Sequence, residues 1–85
     1  MYKIVADKHF ERSYKKLSEN IKKKFKNIIP ILENNPFDLK LKTHMLQGEK
    51  NHIFSISITH KIRALFIIDK NTLLFTDIGN HDDLY

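Results

Sequence analysis

The sequence predicts an α+β fold: an N-terminal strand and a helical hairpin, then a C-terminal antiparallel β-meander, with the helices on one face of the sheet. Three observations carry that expectation. Apolar residues recur at three- and four-residue steps between Phe10 and Leu32, strand-like segments follow between His52 and Ile78, and a polar, proline-led stretch separates the two. With 85 residues the chain is read as one domain, residues 1–85, with a core small enough to gain from a bound partner.

Met1 to Ala6 alternates weakly and reads as a short first strand. Asp7 can cap the helix that follows, because its carboxylate accepts the orphan N–H groups of a first turn. Phe10, Tyr14, Leu17, Ile21, Phe25, Ile28 and Leu32 then form one apolar stripe, interrupted by Ser18 and Asn20, which offer a cap for a second helix. Pro30 lacks an N–H and is expected to kink this second helix or split off its last turn. Asn34-Asn35-Pro36 ends helical structure. Phe37 to Asn51 is polar, basic and irregular, with Gly48 as a turn. His52 to Thr59 alternates, placing Phe54, Ile56 and Ile58 on one face and Ser55 and Ser57 on the other. Ile62 to Asp69 is apolar on both faces apart from Arg63 and Asp69, as a central strand would be. Lys70-Asn71 reads as a hairpin turn, and Thr72 to Ile78 as the last strand, broken by Gly79 and followed by a short tail, Asn80 to Tyr85. The sheet face opposite the helices is expected to stay open and to carry the functional site.

Composition narrows the function classes. There is no cysteine, which excludes disulfides and thiolate metal sites. No apolar run approaches the roughly 20 residues that span a bilayer, and Met1-Tyr2-Lys3-Ile4-Val5 lacks the apolar stretch of a signal peptide, so a cytoplasmic protein with no membrane partner is expected. Fifteen Lys and Arg against ten Asp and Glu give a net charge of +5, which favours polyanionic partners. Only Arg12 and Arg63 are arginine. Arg63 stands among apolar residues, where a guanidinium fork can grip a phosphate bidentately. No two of the five histidines have the i, i+4 spacing of a helical zinc site, so no metal is expected.

The element order, the segment Thr43-His44-Met45-Leu46-Gln47-Gly48 and the ending Ile78-Gly79-Asn80-His81-Asp82-Asp83-Leu84-Tyr85 resemble the RelE/ParE toxin superfamily. The closest resemblance is to its YafQ-like ribosome-dependent messenger-RNA endonucleases. It spans essentially the whole chain and is most specific at the ending, a Gly-x-His followed four residues later by an aromatic.

The resemblance implies a type II toxin that cuts mRNA on the ribosome without a cofactor and is silenced in a hetero-oligomer with a cognate antitoxin. A base removes the proton of a ribose 2′-OH, which attacks the adjacent phosphorus; an acid protonates the leaving 5′-oxygen; cations hold the crowded phosphate. On this pattern His44 matches a loop histidine and is general base or phosphate ligand. His81 matches the C-terminal histidine and is general acid, and Tyr85 matches the terminal aromatic that orients a base or the phosphate. Arg63 matches the phosphate-binding strand arginine of the RelE and YoeB branch, so the site is a composite of two subtypes. The family's other catalytic histidine and its aspartate fall on Ser57 and Lys61. Ser57 cannot move a proton near neutral pH, and Lys61 replaces positive charge but not a carboxylate base. His60 or His52 would fill the gap, or His44 and His81 exchange roles.

Each residue also has a plain structural reading. Arg63 either holds phosphate or pairs with Asp77 or Asp69 across the hairpin. Tyr85 either packs on the sheet or serves the site. Lys22, Lys23, Lys24 and Lys26 form either a solvated helix face or a contact to ribosomal RNA. Lys40, Lys42 and Lys50 flank His44 and, with Lys61 and His60, are the expected RNA-binding set. Two rivals share the fold: a non-catalytic DNA gyrase inhibitor like the ParE branch, and an inactivated relative that only binds RNA or a partner.

Overall fold

The computed structural model describes residues 1–46 and 52–84. Its elements are β1 (Lys3–Ala6), α1 (Lys8–Lys15), α2 (Glu19–Asn34), a 3₁₀ turn (Leu39–Leu41), β2 (His44–Met45), β3 (Phe54–Ser57), β4 (Ile62–Asp69), β5 (Thr72–Asn80) and α3 (His81–Leu84). The strands form one sheet in the order β1-β5-β4-β3-β2. Strands β2 to β5 pair antiparallel, as a meander should. Strand β1 joins the edge parallel to β5, with Lys3 opposite Thr72 and Ala6 opposite Phe75.

The helical hairpin forms for the reasons its sequence gives. The Asp7 carboxylate accepts from Phe10 N at 2.8 Å and the Ser18 hydroxyl from Ile21 N at 3.3 Å, so both helices start on a satisfied cap. The Tyr14 hydroxyl donates to the Lys22 carbonyl at 3.2 Å and ties α1 to α2. Helix α2 runs unbroken through Pro30 to Asn34, so its last turn does not split off. Proline at this position removes one bond to the Lys26 carbonyl, and Pro30 is exposed, where water can satisfy the carbonyl left over.

All six phenylalanines are joined through ring contacts. Phe10, Phe25 and Phe75 meet pairwise at 5.5–5.6 Å between centroids, and Phe75 touches Phe66 at 5.0 Å. Phe66 stacks on Phe54 at 5.7 Å, and Phe54 meets Phe37 edge-on at 5.3 Å. Leu32, Leu41, Ile56, Ala64, Leu73 and Ile78 complete the buried core. Phe75 and Ile78 face this core although they are three residues apart. The register explains it: Leu65 pairs with Asp77 and Phe66 with Phe75, leaving Thr76 as the extra residue of a β-bulge.

Several expectations change. The stretch from Phe37 is not wholly irregular, since it holds the 3₁₀ turn and β2; Gly48 lies outside the described residues. The third strand is shorter than His52 to Thr59, because residues 58–61 turn sharply into β4. Gly79 does not break β5: it pairs with Arg63, and the strand continues to Asn80. The tail is instead the short helix α3. The face opposite the helices is also not fully open. Ser55 is fully buried and Leu65 nearly so, and Leu84 Cδ2 lies 3.8 Å from where a Cβ on Gly79 would sit, so α3 folds back over the sheet.

The aromatic chain makes a stability prediction. Phe75→Ala should cost about 3–5 kcal/mol, much of the stability of a domain this size. A urea titration should show a lower midpoint with an unchanged slope, and a loss below about 1 kcal/mol would mean the rings relax into the gap.

Candidate active site

Ladder partners share a sheet face, so the pairing fixes which side chains lie together opposite the core. His44, Ser55 and Leu65 form one row across β2, β3 and β4. Ser57, Arg63 and Gly79 form the adjacent row across β3, β4 and β5. His44 and Arg63 are therefore two strands apart and two residues offset, or roughly 12 Å between Cα atoms at ordinary sheet spacings.

A pocket of about 430 Å³ opens at the end of the Arg63 row, lined by His60, Lys61, Arg63, Asn80, His81 and Asp82. Among its lining residues is Arg63, whose Nε is buried without a hydrogen-bond partner among the described residues. A buried N–H left unsatisfied is costly, and a cationic one calls for an anion. Neither Asp77 nor Asp69 supplies it. Asp77 is instead held by α1, with His9 Nε2 at 3.3 Å and the Ser13 hydroxyl donating at 3.5 Å, while it also accepts from its neighbour Ile78 N at 2.8 Å.

One wall is the turn at residues 58–61. The Thr59 hydroxyl accepts from Lys61 N at 3.2 Å and Ile62 N at 3.0 Å, and the Ser57 hydroxyl donates to the Thr59 carbonyl at 2.9 Å. Ile58 N and Thr59 N both donate to the Ile62 carbonyl. This fixed turn projects His60 and Lys61, both exposed. The other wall is α3, joined to the turn where His81 N donates to the Lys61 carbonyl at 2.8 Å. The His81 ring nitrogen Nδ1 lies 3.6 Å from an Asp82 carboxylate oxygen.

His81, Arg63, Lys61 and His60 thus meet in one pocket, whereas His44 does not line it. His44 is exposed on β2, with Nδ1 3.3 Å from the Lys42 carbonyl and the exposed Lys40 and Lys42 close in sequence. His52 lies apart from the pocket lining, with Nδ1 3.3 Å from Met45 Sδ. Lys50 and Tyr85 lie outside the described residues. Sequence reasoning missed Asn80 and Asp82, although their adjacency to His81 was a usable signal.

The positive charge is concentrated elsewhere. Residues 8–26 hold eight Lys and Arg against two Glu, while the rest of the chain holds seven cations against eight carboxylates. The net +5 is therefore a property of the helical hairpin, and the pocket works by a few placed cations rather than by a broad field. Within the hairpin, Lys22 has a structural part, 3.7 Å from Glu19 and over the Tyr14 ring; Lys23, Lys24 and Lys26 are exposed. Among the described residues no group of three or more His, Asp or Glu gathers to hold a metal ion, and no helix is long and apolar enough to cross a membrane.

Comparison with known proteins gives a consistent result. Residues 2–85 match the family described as bacterial toxin of type II toxin-antitoxin system, YafQ. The protein RelE4 of Methanocaldococcus jannaschii is 31% identical over 90 residues, covering 100% of this chain and 92% of its own. Crystal-structure relatives include YafQ from E. coli strain BL21(DE3), with a TM-score of 0.81 at 19% identity, covering 100% of this chain and 99% of the other. The RelB–RelE antitoxin–toxin complex from Methanococcus jannaschii superposes with a TM-score of 0.78 at 22% identity, covering 95% and 94%. The E. coli DinJ–YafQ complex gives 0.72 at 19% identity, covering 100% and 99%.

The unsatisfied Arg63 predicts anion binding that is independent of any reaction. Inorganic phosphate titrated into isotopically labelled protein should shift the Arg63 Nε–H and His81 amide resonances, less so as salt rises. Arg63→Lys should weaken the response by losing the planar fork. Shifts confined to the helical hairpin would count against the pocket.

Proposed function

The chain belongs to the YafQ family of bacterial toxins of type II toxin–antitoxin systems, and on that premise we propose that it is an endoribonuclease that cleaves messenger RNA on the ribosome. The observation that carries this reading is the pocket itself: an arginine whose Nε is buried without a partner among the described residues, an ammonium and two imidazoles around a space large enough for a phosphodiester. Cleavage by a ribose 2′-OH needs proton transfer and phosphate stabilisation, and the nucleophile comes with the substrate, so the reaction is metal-independent.

In this mechanism Arg63 grips the scissile phosphate and stabilises the charge that grows as the 2′-oxygen approaches phosphorus. Lys61 adds positive charge at the pocket rim. His81, held by its backbone bond to Lys61 and facing Asp82, donates its proton to the departing 5′-oxygen. His44, across the face, is either the base or a ligand of the RNA backbone, with Lys40, Lys42 and Lys50 holding the strand and Tyr85 orienting it.

The partner is an antitoxin. The solved RelB–RelE and DinJ–YafQ complexes support it, and the cationic helical hairpin suits an acidic partner segment. The working place is the cytoplasm, where ribosomes are.

His81→Ala should abolish growth arrest on induction while the fold and antitoxin binding persist. The loss expected for removing one proton-transfer group is about 10²–10⁴-fold in cleavage rate. Transcript ends mapped after induction of the wild type should show new cuts inside translated codons. Intact transcripts with altered DNA supercoiling would overturn the nuclease in favour of a gyrase inhibitor.

A further inference from the structure

We propose that His60 is the general base of the cleavage reaction, paired with His81 as the acid, and that Ser57 and Thr59 are positioning residues that hold it there. The proposal rests on the endoribonuclease reading and completes its proton inventory. Two imidazoles line the pocket that holds the unpartnered Arg63 Nε, and they are His60 and His81. His44 and His52 do not line it.

The positions where the family places a histidine and an aspartate carry Ser57 and Lys61, and the geometry explains how chemistry survives both changes. The Ser57 hydroxyl donates to the Thr59 carbonyl at 2.9 Å, so it stiffens the turn rather than facing the pocket as a base. The Thr59 hydroxyl takes the N–H groups of Lys61 and Ile62 at 3.2 and 3.0 Å. These bonds fix the backbone on both sides of His60, and a proton acceptor on a preorganised turn is what base catalysis asks for. The bond from His81 N to the Lys61 carbonyl, 2.8 Å, ties the turn to the element carrying the acid, so both imidazoles move with one frame.

The groups around His60 are those that line the pocket. The pocket brings Lys61, Arg63 and His81 on the cationic side and Asp82 as the one carboxylate. An imidazole accepts a proton in its neutral form, the form a general base needs. His60 removes the 2′-O–H proton as the O2′–phosphorus bond forms. The phosphorus–O5′ bond breaks and His81 gives its proton to O5′. The products are a 2′,3′-cyclic phosphate and a 5′-hydroxyl; one proton enters the enzyme and one leaves, so only water is needed to reset the two rings. His44 then keeps the other of its two expected parts, as a ligand of the RNA backbone.

The test is a single-turnover cleavage assay with the full chain, ribosomes and a programmed mRNA between pH 5 and 9. The wild type should give a bell-shaped rate profile, rising as the base is freed and falling as the acid loses its proton. His60→Ala and His60→Gln should each cut the rate about 10²–10⁴-fold without weakening ribosome binding, and the rising limb should vanish. His52→Ala should leave rate and profile unchanged. Ser57→Ala should lower the rate less than His60→Ala and keep the bell. A His60→Ala protein that folds by circular dichroism, cleaves within about threefold of wild type and keeps both limbs overturns the proposal alone. A wild type that cuts no transcript on ribosomes overturns the endoribonuclease reading, and this assignment with it.

Discussion

Six phenyl rings in contact hold this molecule together. They run from α1 and α2, through Phe75 and Phe66 in the two adjacent long strands, to Phe54 on β3 and Phe37 beyond α2. Rings of this kind bury about 150–250 Å² each and contribute edge-to-face and offset contacts beyond that area. In a chain of 85 residues few other groups could supply comparable apolar burial. The rings also dictate the backbone, because Phe75 and Ile78 share a face only when Thr76 bulges out of the ladder. That bulge increases local twist just before the strand enters the pocket.

With the rings on one side, the polar groups of β3 and β4 fall on the other. Alternation puts Ser57 and Arg63 in one row, and the ladder continues to Gly79, beside which Leu84 lies. The pocket is therefore a consequence of sheet geometry plus two short additions, a hydrogen-bonded turn and a four-residue helix. Its cations are few and placed, whereas the bulk charge lies on the hairpin. Bulk charge and the placed cations of the pocket thus belong to different elements of one small fold.

Most of the architecture was legible because periodicity reports burial. The stripe from Phe10 to Leu32, both helix caps, the central strand Ile62–Asp69 and the Lys70-Asn71 turn are all local signals, and the structure contains each. What stayed hidden was non-local. Four weakly alternating residues cannot say that β1 will lie parallel to β5, and Gly79 looks like a strand breaker until Arg63 is known to pair with it. At the site, His81, Arg63, Lys61 and His60 could be named from the sequence. The convergence of His60 with them could not, because it depends on a turn whose bonds come from Ser57 and Thr59. His44 was marked by its surrounding residues, yet the register sets it two strands from Arg63.

The parallel pairing of the first strand with the last also bears on how the protein is made. During synthesis β1, α1 and α2 are complete long before Thr72–Asn80 exists, yet β5 is the strand that β1 pairs with and that Phe10 and Phe25 pack against. At about 5–20 residues added per second, the N-terminal half waits for seconds without the surface it needs. A partly made chain has neither the complete sheet nor the wall that α3 provides, so the pocket can form only after Asp82 has been added.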